Sequence, residues 1–157
     1  MTDWFLEIIP SMLEELKENA NGTPLSLADG VDEIHVLGDK DGFEKWKRIL
    51  GEIAYLFRES YETTCKKKNP YAEEYDWAFD QFAAKYGFFG ELLKTPEEIV
   101  EERVHGYNTL HTMEEIPEYR DICEKYWNEE KSLEIYRNKC KDKAFELFTK
   151  WFWNLWD

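Results

Sequence analysis

The chain has 157 residues, of which 43% are hydrophobic and 17% aromatic, and its formal net charge is −14. This content of apolar side chains excludes an intrinsically disordered chain and is sufficient for one domain with a hydrophobic core. The acidic charge disfavours nucleic acid and anionic membrane as direct partners, because both are negatively charged. It favours a protein partner with a basic surface, or it serves solubility alone.

The three cysteines, Cys65, Cys123 and Cys140, are far apart and form no CxxC pair. This count argues against a disulfide framework and against a structural zinc site, and indicates reduced thiols in a cytosol. Residues 1–10 lack a basic region followed by an apolar run, so no signal peptide is expected. No uninterrupted apolar stretch is long enough to span a membrane. We therefore expect a cytoplasmic protein.

A first helix is predicted from Asp3, because apolar residues follow it with helical spacing. Pro10 lies inside this pattern, so either the helix kinks there or a short turn precedes a helix that begins at Pro10. Residues 25–40 are the least helical stretch and predict a small β-hairpin or a loop. Asp41 is expected to cap the second helix, which is predicted to extend from about Phe43 to Thr64.

The middle of the chain predicts two further helices. The pair Asn69-Pro70 is expected to open the third helix, which Gly87 ends. Thr95, followed by a proline and two glutamates, is the strongest helix start in the chain, and the fourth helix is expected to end near Gly106. Residues 107–115 are predicted to be a loop.

A long apolar stripe marks the last part of the chain. Pro117 is predicted to begin a fifth helix, which either continues into residues 130–157 or breaks near Asn128. Side chains at steps of three and four in residues 130–157 indicate one buried helical stripe. The stripe comprises Leu133, Tyr136, Cys140, Ala144, Leu147, Phe148, Trp151, Phe152, Leu155 and Trp156. The predicted fold is one all-α domain over residues 1–157, a bundle of about five or six helices.

Motifs for catalysis or metal binding are few. Glu102 and His105 form a Glu-x-x-His pair, the spacing that carboxylate-bridged di-iron bundles use twice. Neither His35 nor His111 has a Glu three residues before it, so that ligand set cannot be completed. The sequence has no GxSxG, P-loop or GxGxxG motif, and no Cys–His pair at a recognisable family spacing. We therefore predict a protein that is not an enzyme and has no metal or cofactor.

Two features exceed the needs of a simple helical bundle. Acidic rows in the third and fourth helices are either solvated faces or a surface that mimics the charge of nucleic acid and occupies a basic groove. Tryptophans near the end of the sequence either fill the core or form a partner site, and Trp153 lies off the apolar stripe. The candidate binding residues are Glu73, Asp76, Asp80, Glu97, Glu98, Glu101, Glu102, Trp151, Trp153 and Trp156.

Residues near both ends of the chain carry a resemblance to a known family. They are Trp4-Phe5-Leu6, Pro10, Met12-Leu13, Gly22, Pro24, Phe43, Trp46, Ile49-Leu50, Phe57, Thr64-Cys65, Asn69, Leu147-Phe148 and Asn154-Leu155-Trp156-Asp157. Through them the chain resembles a family of small acidic proteins encoded by bacteriophages and prophages, mainly of Firmicutes and gut bacteria. Relative to shorter members, residues 25–41 look like an insertion. The resemblance implies a phage origin but no established activity, so it assigns no catalytic residue.

Three functional hypotheses follow from these features. The first is a phage-encoded inhibitor whose acidic helical surface binds a basic surface of a host protein such as a defence factor, since small non-catalytic phage proteins often inhibit host systems. The second is a binder that sequesters a nucleotide-like small molecule in an aromatic pocket containing an arginine. The third is a virion assembly component, which requires a sizeable exposed apolar patch. A second copy of the chain on the Trp-rich segment is a further alternative.

Overall fold

The computed structural model describes residues 2–24, 27 and 40–155, and for residues 2, 3 and 40 it describes only their place in a helix. The hairpin or loop predicted at residues 25–40 lies outside the described residues, apart from its two positions 27 and 40. The described part of the chain contains five α-helices and no β-strand, so the all-α prediction is confirmed. The helices are α1 Thr2–Asn19, α2 Lys40–Ser60, α3 Ala72–Tyr86, α4 Pro96–His105 and α5 Pro117–Trp151, with short 3-10 helices at Glu91–Leu93, Met113–Glu115 and Phe152–Leu155.

Two helices continue through positions where the sequence allowed a break. Helix α1 contains Pro10 in its interior, so it does not begin there. Helix α5 continues past Asn128 for a total of 35 residues. The nine described members of its predicted stripe are all buried or half-buried, whereas Trp156 lies outside the described residues.

Three predicted helix ends were wrong. Helix α2 begins at Lys40, so Asp41 lies in its first turn and is not the cap. It ends at Ser60 because the Thr64 hydroxyl donates to the carbonyl of Arg58 and the following backbone closes into a turn. Helix α3 begins at Ala72, after Asn69-Pro70. The Asn69 side-chain oxygen accepts a hydrogen bond from the backbone nitrogen of Tyr71, within the turn before the helix, and its amide nitrogen donates to the carbonyl of Tyr126.

The contacts of the chain form two compact units, Met1–Lys67 with Glu134–Asp157, and Lys68–Leu133. We call these the first unit and the second unit. The prediction of a single domain over residues 1–157 stays a prediction.

The first unit has its core between α1, α2 and the last part of α5. Buried side chains from these helices pack together, and Trp46 meets Trp151 edge to face with ring centroids 5.8 Å apart. Arg58 of α2 donates two hydrogen bonds of 2.7 Å to the carboxylate of Glu14 on α1. This bidentate bond lowers the pKa of Glu14 and raises that of Arg58. The core residues are Leu13, Trp46, Leu50, Ile53, Ala54, Phe57, Ala144, Trp151 and Leu155.

A buried carboxyl group interrupts this apolar interior. Glu59 is 1% exposed, and its oxygens accept hydrogen bonds from the Tyr136 hydroxyl at 2.8 Å and the backbone nitrogen of Lys66 at 3.0 Å. The thiol of Cys65 is a weaker third donor at 3.7 Å. Burial, together with the bond to Glu59, raises the pKa of Tyr136 well above its ordinary value. The group therefore joins α2, the turn after it and α5 through polar contacts.

The second unit has a smaller, aromatic core. Phe82 of α3 meets Tyr119 of α5 edge to face at 6.1 Å, and Tyr75 stacks on Tyr126 with ring centroids 4.0 Å apart. Helix α4 contributes no buried residue to this core. The buried members are Ala78, Phe82, Met113, Tyr119, Ile122 and Cys123.

Candidate functional site

The predicted acidic residues of α3 are exposed on one helical face. Glu73, Asp76 and Asp80 follow one another at steps of three and four, which places them side by side, and we call them the acidic row. Trp77 lies on the same face and is 65% exposed. It borders a surface pocket of about 330 Å³ lined by Trp77, Gln81, Ala84, Lys85, Glu118 and Tyr119. A large exposed aromatic ring beside the carboxylates of the acidic row is therefore available to a cationic partner group, and Lys85 lines the other part of the pocket.

Helix α4 begins where the sequence predicts. The Thr95 side chain accepts a hydrogen bond from the backbone nitrogen of Glu98 at 3.3 Å, and the Glu98 carboxylate accepts one from the backbone nitrogen of Thr95 at 2.7 Å. Pro96 occupies the first helical position, and Gly106, with a φ of 73°, ends the helix. The reciprocal cap satisfies backbone donors that would otherwise lack a partner at the helix start.

The side of α4 that faces the rest of the second unit is polar. Glu102 accepts hydrogen bonds from the Lys94 ammonium at 2.7 Å and from the backbone nitrogen of Thr109. The side chains of Lys94 and Glu102 are only 13% and 15% exposed. These bonds, that from Lys94 foremost, hold the pKa of Glu102 below its ordinary range. Glu102 is therefore engaged within the unit, whereas His105, the other member of the Glu-x-x-His pair, stacks on Tyr107.

A second contact between α4 and the rest of the unit is made by a histidine. The ring nitrogens of His111 lie 2.7 Å from a Glu115 oxygen and 3.2 Å from a Glu98 oxygen, and its side chain is 14% exposed. The two carboxylates, Glu115 foremost, raise the pKa of His111. Gly90, with a φ of 66°, lies so close that a Cβ there would be 2.6 Å from the Cβ of His111, so only glycine fits. His111 and Lys94 thus hold the carboxylate side of α4 in place.

The apolar side chains of α4 point to solvent. Ile99, Val100 and Val104 are 38%, 57% and 70% exposed, and no residue of this fully described helix is buried. At about 100° per residue, the two valines lie nearly opposite Glu98 and Glu102. Full burial of one such side chain would contribute about 1.5–3 kcal/mol, which this orientation forgoes. We call Val100 and Val104 the apolar strip, since Ile99 projects about 100° away from Val100 and is the least exposed of the three.

Two carboxylates border the apolar strip. Glu97 and Glu101 are exposed and lie one turn apart beside Val104. Glu101 accepts a hydrogen bond from the Tyr107 hydroxyl at 3.0 Å, which raises the pKa of that phenol. The exposed Arg103 lies on the other side of the valines, so the strip has an acidic margin on one side and a basic one on the other.

The structure places the predicted tryptophans differently from one another. Trp151 is 8% exposed and packs in the core of the first unit, so it offers no surface to a partner. Trp153 is 80% exposed, and Trp156 lies outside the described residues. We therefore exclude Trp151 from the candidate site.

A pocket of about 460 Å³ on the second unit combines an aromatic ring with an arginine. Trp127, which is 51% exposed, and Arg120 line it together with Glu114, Cys123, Glu124 and Asn128. Arg120 also donates to the carbonyl of Glu114 at 3.4 Å. The two carboxyl groups in the lining repel an anionic ligand, and this weakens the attraction of Arg120 for a phosphate group.

Among the residues that the structure describes, no three His, Cys, Asp or Glu side chains are arranged to hold a metal ion. The helices there include none that is both long and apolar enough to cross a membrane. Cys65, Cys123 and Cys140 are all free and buried, and burial raises the pKa of the Cys65 and Cys123 thiols.

Neither a family model, nor a curated protein, nor a solved structure matches the chain. The resemblance to small phage proteins therefore stays a prediction.

Sequence reasoning missed Trp77, the apolar strip and His111. For Trp77 a signal was present, because it lies off the apolar stripe of α3 and among the acidic residues of that helix. The outward orientation of Val100 and Val104 had no signal, because it depends on contacts of Glu98 and Glu102 with residues outside α4.

Proposed function

We propose that this protein is a non-enzymatic, phage-encoded binding protein that inhibits a host protein by covering a basic surface of it. The observation that carries the proposal is the concentration of charge. Residues 68–133 contain 16 acidic and 7 basic side chains, so they account for −9 of the net charge of −14. The acidic row of α3 and the carboxylates of Glu97 and Glu101 on α4 are exposed within this segment.

Exposed aromatic and apolar side chains beside these carboxylates support a specific contact. Charge alone gives solubility and steers a partner to the surface, whereas affinity comes mainly from a few desolvated anchors. Trp77 stands within the acidic row, and a lysine or arginine of a partner can stack on its ring while it pairs with Asp76 or Asp80. This combination distinguishes the second unit from a merely solvated surface.

The class of partner follows from the resemblance to phage proteins and from the sign of the charge. A surface of this charge mimics a nucleic acid, so a host defence factor with a basic groove is the partner that we propose. Such a factor acts in the cytoplasm of the bacterium, where the free thiols of this chain stay reduced.

A capture experiment with two matched variants tests the proposal. The row variant carries Glu73→Gln, Asp76→Asn, Asp80→Asn, Glu97→Gln and Glu101→Gln. The control variant loses the same number of charges from exposed positions of the first unit, through Glu7→Gln, Glu15→Gln, Glu18→Gln, Glu44→Gln and Glu52→Gln. Each protein is immobilised, exposed to host lysate at low salt, and washed with increasing salt before quantitative mass spectrometry.

We expect one host protein to bind the wild type and the control variant, to be lost from the row variant, and to elute with salt. Equal retention by both variants would contradict the proposal, because it would show that overall net charge, and not the exposed carboxylates of α3 and α4, determines binding. Binding that is indifferent to salt would contradict it as well.

The pocket of Trp127 and Arg120 supports a second candidate function, the sequestration of a nucleotide-like small molecule. It has the aromatic ring and the arginine that such a ligand requires, although Glu114 and Glu124 weaken its attraction for phosphate. Native mass spectrometry of the gently purified protein tests this function. A ligand mass that disappears on denaturation and is absent from Arg120→Ala would support it, whereas a clean apo mass would count against it.

A further inference from the structure

Helix α4 has an inverted orientation. In an ordinary amphipathic helix of a folded domain, the apolar side faces the core and the charged side faces water. Here Glu98 and Glu102 face the unit, whereas Val100 and Val104 are 57% and 70% exposed. The fold gains little burial from the two valines, so the outward apolar strip needs a separate explanation.

The polar contacts beneath α4 fix this orientation. Glu102 is bonded to Lys94 and to the backbone of Thr109, and Glu98 is bonded to His111 and to the cap of the helix. A helix held by directed hydrogen bonds has one rotation about its axis, since any other rotation breaks several bonds at once. The apolar strip is therefore presented in a defined geometry before any partner arrives, which reduces the ordering cost of binding.

The charge around the strip selects the partner. Glu97 and Glu101 border it on one side and the exposed Arg103 on the other, and the segment that carries it has a net charge of −9. This excess of negative charge repels an anionic membrane and disfavours a second copy of the same segment. A segment that combines apolar side chains with basic ones on the side of Glu97 and Glu101 satisfies both the strip and the net charge around it.

The length and spacing of the strip fit a helix. Helix α4 has ten residues and is thus about 15 Å long. Val100 and Val104 are one turn apart, and a partner helix lying along α4 would place apolar residues at the same spacing with Lys or Arg beside them. We propose that the apolar strip of Val100 and Val104 is the docking site for a basic amphipathic helix of the partner protein. This inference rests on the proposed function, for which it names the contact and the kind of partner segment.

Synthetic peptides provide a test that does not require the natural partner. The probe is a fluorescein-labelled peptide of lysine and leucine with leucines at helical spacing, and its control has the same composition in an order that is not amphipathic. Fluorescence anisotropy gives the affinity for the wild type, for Val100→Ser/Val104→Ser, and for Ile135→Ser. Ile135 is an exposed α5 residue of the first unit, 51% exposed, and so serves as the matched control. Far-UV circular dichroism checks that each variant is folded.

We expect the double variant to bind the amphipathic peptide at least about tenfold more weakly than the wild type, and Ile135→Ser to bind as the wild type does. In the wild type, the methyl resonances of Val100 and Val104 should shift when the peptide is added, a result that does not depend on any variant. Unchanged affinity in the double variant, unshifted valine methyls, or equal binding of the control peptide would overturn the inference.

The outcomes also separate this inference from the proposed function. Peptide binding that is weakened by salt and in the row variant, but is unchanged in the valine double variant, would support the acidic surface as the binding site and show that the apolar strip is not its anchor. If the affinity is the same at low and high salt and in the row variant, the proposal that the acidic surface binds the partner is refuted, whatever the result for the valine double variant. Association of the protein with itself, seen by sedimentation and abolished in the double variant, would identify a second copy as the occupant and overturn the choice of a basic partner.

Discussion

The buried carboxyl group of Glu59 gives the sharpest prediction for stability. Tyr136→Phe removes the hydroxyl that donates to Glu59 at 2.8 Å and leaves the ring in place. The carboxyl group is 1% exposed, so water cannot easily replace the lost donor, and only the Lys66 backbone and the Cys65 thiol remain. We expect the free energy of unfolding to fall by about 1–3 kcal/mol, the usual cost of an unsatisfied buried acceptor.

Tyr107→Phe is the matched control for this change. Tyr107 also donates its hydroxyl to a carboxylate, that of Glu101 at 3.0 Å, but both residues are exposed. Water can take over both groups, so the loss of stability should be much smaller than that of Tyr136→Phe. Urea denaturation followed by circular dichroism gives both values, and each kcal/mol should lower Tm by about 2–4 °C in a chain of this size. Equal effects of the two substitutions would refute the role assigned to burial.

Tyr136 should also affect the stability of the fold at alkaline pH. Its pKa is raised in the folded protein, whereas in the unfolded chain it ionises near its ordinary value of about 10. The contribution of Tyr136 to the free energy of unfolding is therefore complete below about pH 10 and is lost as the pH rises above that value. The wild type should lose more stability than Tyr136→Phe between pH 9 and 11, and parallel pH profiles would contradict this reasoning.

Three further predictions concern other described groups. His111 has a raised pKa in the folded state, so its contribution to the free energy of unfolding is complete below its unfolded pKa of about 6.5 and is lost as pH rises through the folded pKa. Urea titrations should show that the difference in free energy of unfolding between the wild type and His111→Gln narrows from pH 5.5 to pH 8. Thr95→Ala should cost about 1 kcal/mol and speed amide hydrogen exchange in α4, whereas unchanged exchange would argue against the capping role. Cys65, Cys123 and Cys140 should react with a maleimide only slowly in the native protein and fully in denaturant, and rapid labelling of the native protein would show that they are accessible.

The helix starts that could be predicted are those fixed by local chemistry. Thr95, Pro96 and Glu98 form their cap within four residues, and the fourth helix begins where the sequence indicates. Asn69 shows the opposite case. Its side-chain oxygen accepts a local hydrogen bond from the backbone nitrogen of Tyr71, but its amide nitrogen donates to Tyr126 and Glu130, far away along the chain, and α3 begins only at Ala72. Propensity describes local options, and tertiary contacts choose among them.

The candidate site shows the same division. Exposure of the acidic row could be predicted, because Glu73, Asp76 and Asp80 lie off the apolar stripe of α3. Burial of the Glu98 and Glu102 side chains could not, because it requires Lys94 and His111 on segments that flank α4. An inverted helix has the same sequence period as an ordinary one, so periodicity predicts two faces without telling which of them points inward.

The central claim is that exposed carboxylates of the second unit bind a basic partner, and the capture experiment tests it most directly. The decisive quantity is the amount of a host protein retained by the row variant relative to the control variant, which has the same net charge. The account predicts that the control variant retains the protein as the wild type does and that the row variant loses it. Equal retention, or equal loss, by the two variants would contradict the claim, because net charge alone would then explain the interaction.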